Sequence, residues 1–164
     1  MNTGLLILRL ALGLLLAGHG IQKVSHRLGG HGIQGGAAEF QADGFRGGRL
    51  TAAAAGGGQI TAGLLLAAGA LTPLAATIAA GVMTVAITVK WHNGLWVQNN
   101  GYEYPLVLMI LPAVLTLTGP GRWSIDQALG LNPWHPAWTA AAVGLGITSG
   151  LATRALLHRP HLHS

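Results

Sequence analysis

Apolar residues fall into five long runs, covering residues 4–24, 50–71, 73–90, 102–118 and 136–157, separated by stretches rich in glycine, proline or charge. About 20 consecutive apolar residues span a bilayer core as a helix, and the first run, GLLILRLALGLLLAGHGIQKV, has that length. Inside lipid no water is at hand to bond an open backbone, so each run is predicted to be helical. That holds even for the second, where Gly56, Gly57 and Gly58 lower intrinsic propensity. Thr72-Pro73 marks a tight turn, with Pro73 where a helix start tolerates it. The pattern predicts an all-α, polytopic membrane protein with five spans.

The stretches between the runs carry their own signals. Residues 25–49 are glycine-rich, and connections this long without structure are uncommon. Residues 37–44 are predicted to form a short interfacial or re-entrant helix. Residues 90–101, KWHNGLWVQNNG, read as a polar loop, and residues 119–126, GPGRWSID, as a turn leading into a short helix. In the third run Thr77, Gly81, Thr84 and Thr88 recur at helical spacing and draw a small, polar stripe. Such a stripe is either a helix-packing face or the wall of a solute path. Gly144, Gly146 and Gly150 in the last run suggest packing against a neighbour.

Composition narrows the class. With 51% hydrophobic and only 8% charged residues over 164 positions, the chain cannot give a soluble domain its charged surface. The net charge of +5 comes from basic residues standing singly at run ends, which fits membrane anchoring and not a nucleic-acid patch. There is no cysteine, so thiolate nucleophiles, redox pairs and Fe–S ligation by this chain are excluded. The first run has no Lys or Arg before it, Arg9 interrupts it and no A-x-A site follows, so it reads as a retained span and not as a signal peptide.

Five spans place Lys23, Arg27, Arg46, Arg49, Lys90, Arg154 and Arg159 on one side and Arg122 on the other. The positive-inside rule then puts the amino terminus outside and the tail, with His158, His161 and His163, in the cytoplasm. The tryptophans divide the same way, Trp91 and Trp96 at the inner ends and Trp123, Trp134 and Trp138 at the outer ones, as an aromatic belt would.

This topology sorts the ionisable groups into two layers. Arg9, Arg122 and Asp126 lie towards the outer face. His19, Lys23, Lys90, His92 and Glu103 lie towards the inner face, with Gln59 nearer the middle. Ionisable side chains at membrane depth are costly and usually face a packed interior or a polar cavity. In the outer layer Asp126 is expected to neutralise Arg9 or Arg122; the functional alternative is a site for an anion or a quinone carbonyl, since a guanidinium offers a fixed fork of donors. In the inner layer Glu103 is expected to pair with Lys23 or Lys90, or to exchange protons. Haem is disfavoured, because His19 would need a second axial histidine and His92 sits in a loop.

LRLALGLLLAGHGIQK at residues 8–23, LLLAAGALTPLAA at 64–76, GYEYPL at 101–106 and GPGRWSID at 119–126 together resemble the DoxX family of small bacterial membrane proteins, in the same order and at similar spacing. The resemblance implies a four-helix membrane bundle over residues 1–131, with residues 132–164 an extension carrying the fifth helix and a short tail. It also implies a bacterial cytoplasmic membrane location and a link to oxidoreductase complexes, with lipid, other subunits and a quinone as partners. The positions it marks as a polar site are Arg9, His19, Gln22, Lys23, Glu103, Tyr104, Arg122, Ser124 and Asp126. Gln59 stands where many relatives carry Glu, and Gln cannot exchange a proton there. The function expected is a membrane subunit of a redox complex; the alternatives are a scaffold or assembly factor and a small-solute permease.

Overall fold

A computed structural model describes residues 2–159. It is all-helical, as the apolar pattern predicts, with α1 Asn2–Val24, α2 Gly32–Ala42, α3 Arg49–Ala68, α4 Thr72–Lys90, α5 Glu103–Thr118, α6 Ile125–Ala128 and α7 Pro136–Leu157. Four of these, α1, α3, α4 and α7, are long and apolar enough to cross a membrane. At 16 residues α5 is shorter, about 24 Å at 1.5 Å per residue. It still runs from one end of the bundle to the other: Glu103 N–H bonds Leu95 O beside α4's exit, and Arg122, just past its far end, donates its N–H to Asn2. The two ends are called here the Lys90 end and the Asp126 end.

Glycines set how the helices meet. α1 and α3 run antiparallel with backbones in contact. A methyl on Gly13 would lie 2.5 Å from the Gly63 carbonyl oxygen, and one on Gly63 would lie 2.5 Å from that of Gly13. Gly20 meets Gly56 in the same way one heptad along. Without a hydrophobic driving force between helices in lipid, such close approach supplies the dispersion contact that holds them. Leu12 and Leu16 of α1, Ala62 and Leu66 of α3, Ala75, Ala79 and Met83 of α4, and Leu108 and Leu115 of α5 form the common core. α7 stays outside that core and lies along α4.

The α4–α7 contact accounts for the threonine stripe. Gly146 sits on Ala80 and the Thr77 carbonyl, and Gly150 sits on Gly81 and Thr84. Later residues meet later residues, so the two helices are parallel. The stripe is a packing face closed by α7, not an open path. Gly144 departs from its expected role, since it lies exposed with open space beside it.

The glycine-rich connection is more ordered than its composition suggests. α2 begins at Gly32, five residues before the predicted start, and ends at Ala42. Tertiary contact overrides weak propensity here: Gly32 N–H bonds Ser25 O at 3.1 Å, and Gly36 lies against the Lys23 carbonyl and the Ala52 methyl. Beyond α2 the chain pairs with the end of α7. Phe45 and His158 form an antiparallel bridge, with Arg46 N–H on Leu157 O at 2.9 Å and Arg159 N–H on Gly44 O at 2.8 Å. The buried Phe45 ring lies edge-on between Phe40 and His158. His161 and His163 lie outside the described residues.

Candidate functional site

At the Asp126 end the α3–α4 turn, the start of α1 and the segment from Gly119 to α6 converge. α3 ends at Gly69, whose φ of 64° is the left-handed C-cap that only glycine adopts without cost. Arg9, about two turns into α1, is 1% exposed and lays its guanidinium across the bare Gly69 Cα. A Cβ there would collide with Arg9 Nη1 and lie 2.6 Å from Ser124 Cβ. Glycine is therefore required twice at this position, for its backbone and for the space. Arg9 Nη2 donates to the Trp123 carbonyl at 2.6 Å. Its Nε and Nη1 are buried and have no partner among the described residues.

Asp126 is 0% exposed, and its ligands were not legible in the chain. Oδ1 accepts the Leu71 N–H at 2.6 Å. Oδ2 accepts the Thr72 N–H at 3.0 Å, the Thr72 hydroxyl at 2.6 Å and the Trp134 indole N–H at 3.1 Å. Its own N–H bonds Gly69 O at 2.9 Å. Ser124 caps α6 by accepting the Gln127 N–H. Asp126 thus caps α4 from a distance: the first turn of a helix has free N–H groups and a positive dipole end, and Leu71, at φ 45°, offers no side-chain cap.

The expected ion pair of Asp126 with Arg9 or Arg122 is not formed. Asp126 and Arg9 are near enough to feel each other's charge, but among the described residues the only ion pair is Lys23–Glu39. Four neutral donors already hold the carboxylate in place, three of them on Oδ2, and the guanidinium bonds the Trp123 carbonyl instead. Arg122 leaves the cluster altogether, its side chain exposed at the surface.

The Lys90 end rearranges the expected partners as well. Lys23 pairs with Glu39 of α2 at 3.8 Å, its Nζ 5.4 Å from the Phe40 ring centroid. Lys90 donates to the Asn100 side chain. Glu103 accepts the Val97 N–H at 3.1 Å, closing the loop ahead of α5, and pairs with neither lysine. Local loop donors reach it first. Gln22 donates to Leu28 O at 2.7 Å. The His19 ring stands edge-on to Tyr104, centroids 5.1 Å apart, while His92 is exposed in a 3₁₀ turn. Gln59 is buried on α3, and its Oε1 has no partner among the described residues. Among the described residues no three His, Asp or Glu side chains gather to hold a metal ion.

Of the sequence-predicted residues, the fold brings Arg9, Ser124 and Asp126 together at one end and His19 beside Tyr104 at the other, sends Arg122 outward, and leaves Lys23 and Glu103 on separate contacts. Gly69, Thr72, the Trp123 carbonyl and Trp134 complete the cluster and were not singled out. Gly69 had one usable signal, a glycine near the end of its apolar run, four residues before Pro73, where a C-cap would sit. A backbone carbonyl carries no sequence signal. Chemically, the cluster offers a dry guanidinium with unused N–H groups, suited to a carbonyl or anionic oxygen.

The family model described as DoxX matches residues 4–93, from the start of α1 through the end of α4. No curated protein and no solved structure matches the chain.

Proposed function

This chain belongs to the DoxX family, and from that premise we propose that it is the membrane subunit of a redox complex, presenting a quinone to a partner that carries the electrons. The observation that supports this reading most is Arg9: a fully buried guanidinium with Nε and Nη1 unpartnered among the described residues, packed directly on Gly69. Unused donors on a buried cation are costly, and a quinone carbonyl or its reduced oxyanion relieves that cost through charge-assisted hydrogen bonds. Absence of cysteine means that electrons from thiols reach the quinone through another subunit.

The proposed site comprises Arg9, Gly69, Ser124 and the Trp123 carbonyl, with Asp126 holding its floor in place; His19, Lys23, Gln59, Glu103, Tyr104 and Arg122 are peripheral to it. We place the protein in the bacterial cytoplasmic membrane with the Lys90 end inside, because Lys23, Arg27, Arg46, Arg49, Lys90, Arg154 and Arg159 lie at or near that end. Residues 132–164 extend a four-helix core.

A scaffold without turnover is the second reading, and the four neutral donors on Asp126 favour it, since they make that carboxylate a structural clasp. Purified protein in detergent separates the two. A short-chain ubiquinone should quench tryptophan emission in the native chain, and Arg9→Gln should weaken that binding by about tenfold, one lost charge-assisted pair. Unchanged binding in a folded Arg9→Gln protein, or no binding in the native one, leaves the scaffold.

A further inference from the structure

The Phe45–His158 strap carries a second feature unrelated to the quinone reading. In an antiparallel bridge, neighbouring side chains alternate between faces. Phe45 and His158 turn inward, with rings 5.2 Å apart, so Arg46 and Arg159 fall together on the outward face. Their strands are pinned by main-chain bonds of 2.9 and 2.8 Å, and diagonal neighbours across such a pair stand about 7–8 Å apart. Gly44 lies opposite Arg159, where a Cβ would press on the Arg159 carbonyl and the His158 ring, so glycine lets the two strands close. Both arginines are exposed, and neither side chain has a partner among the described residues. Arg154, one turn earlier on α7, has a buried Nη1 that also lacks a partner. Among the described residues neither arginine forms an ion pair with Asp43.

Two like charges at diagonal positions can share one anion, which each attracts. The surroundings say which kind. Leu50, at the start of α3, is 76% exposed and Leu156, beside the strap on α7, is 77% exposed. Apolar side chains fully exposed at a helix end belong against acyl chains, and the guanidiniums next to them sit at headgroup level. We propose that Arg46 and Arg159 grip the phosphodiester of an anionic phospholipid, with Arg154 beside them and Leu50 and Leu156 against its acyl chains.

The test uses the full chain, purified and placed in nanodiscs of phosphatidylcholine with and without phosphatidylglycerol. Displacement of a fluorescent phosphatidylglycerol should show a preference of about tenfold or more over phosphatidylcholine. The pair Arg46→Ala with Arg159→Ala should abolish it, while Arg122→Ala at the other end should not. The strap's bonds are main-chain, so circular dichroism should be unchanged; if it is not, Arg159→Glu alone decides, and must reduce the preference. Equal binding of the two lipids, or a preference that survives both sets of substitutions, overturns the proposal. So does complete displacement of the lipid by millimolar inorganic phosphate, which would make this a free-anion site.

Discussion

Replacing Asp126 by Asn tests whether one carboxylate organises the end of the bundle. In the native chain Oδ1 takes the Leu71 N–H and Oδ2 takes three donors. An amide has one accepting oxygen. In the milder orientation its NH₂ faces the Leu71 N–H, donor against donor, and one hydrogen bond to a charged acceptor is lost, about 1.5–3 kcal/mol. The interaction of the carboxylate with α4's first turn adds about 0.3–1 kcal/mol. The total of about 2–4 kcal/mol converts to a fall of roughly 4–16 °C in Tm for a chain of this size. Circular dichroism during heating in detergent micelles measures it. Thr72→Val removes only the hydroxyl donor and should cost about 1 kcal/mol. A midpoint for Asp126→Asn within about 1 °C of native, or a smaller fall than for Thr72→Val, would refute the clasp.

Two further expectations are simpler. Gly63→Ala puts a methyl 2.5 Å from the Gly13 carbonyl and 2.6 Å from the Ala17 nitrogen, so overpacking should cost about 1–3 kcal/mol, whereas Gly144→Ala, with open space beside it, should not lower Tm and should raise it through a gain of up to about 1 kcal/mol in helix propensity. Because the chain has no cysteine, Asn99→Cys and Leu129→Cys report the orientation directly: an impermeant maleimide added to intact cells should label Leu129→Cys only, and the reverse pattern would invert the topology.

How much of this was legible can be judged from particular residues. Helix ends came out within three residues for the five long runs, because satisfying the backbone in lipid is a local demand that any apolar stretch meets alone. The sorting of charges into two layers followed from the same count of spans. α2's early start was hidden, since Gly36 finds the Lys23 carbonyl and Ala52 only in the fold, and Gly32, at φ 69°, packs against the His26 ring.

By itself, then, the sequence determined that this is a multi-span α-helical protein, where its long helices lie, and that Gly146 and Gly150 serve close packing. Only the tertiary structure decided who satisfies whom. Asp126 takes donors 54 and 55 residues away in the chain, and Arg9 bonds a carbonyl 114 residues away. The physical reason is that opposite charges suggest each other in a sequence, while backbone N–H and C=O groups, present at nearly every position, compete for the same charges unseen. At the Asp126 end the backbone won, and the guanidinium it left half-satisfied is the feature from which function is read.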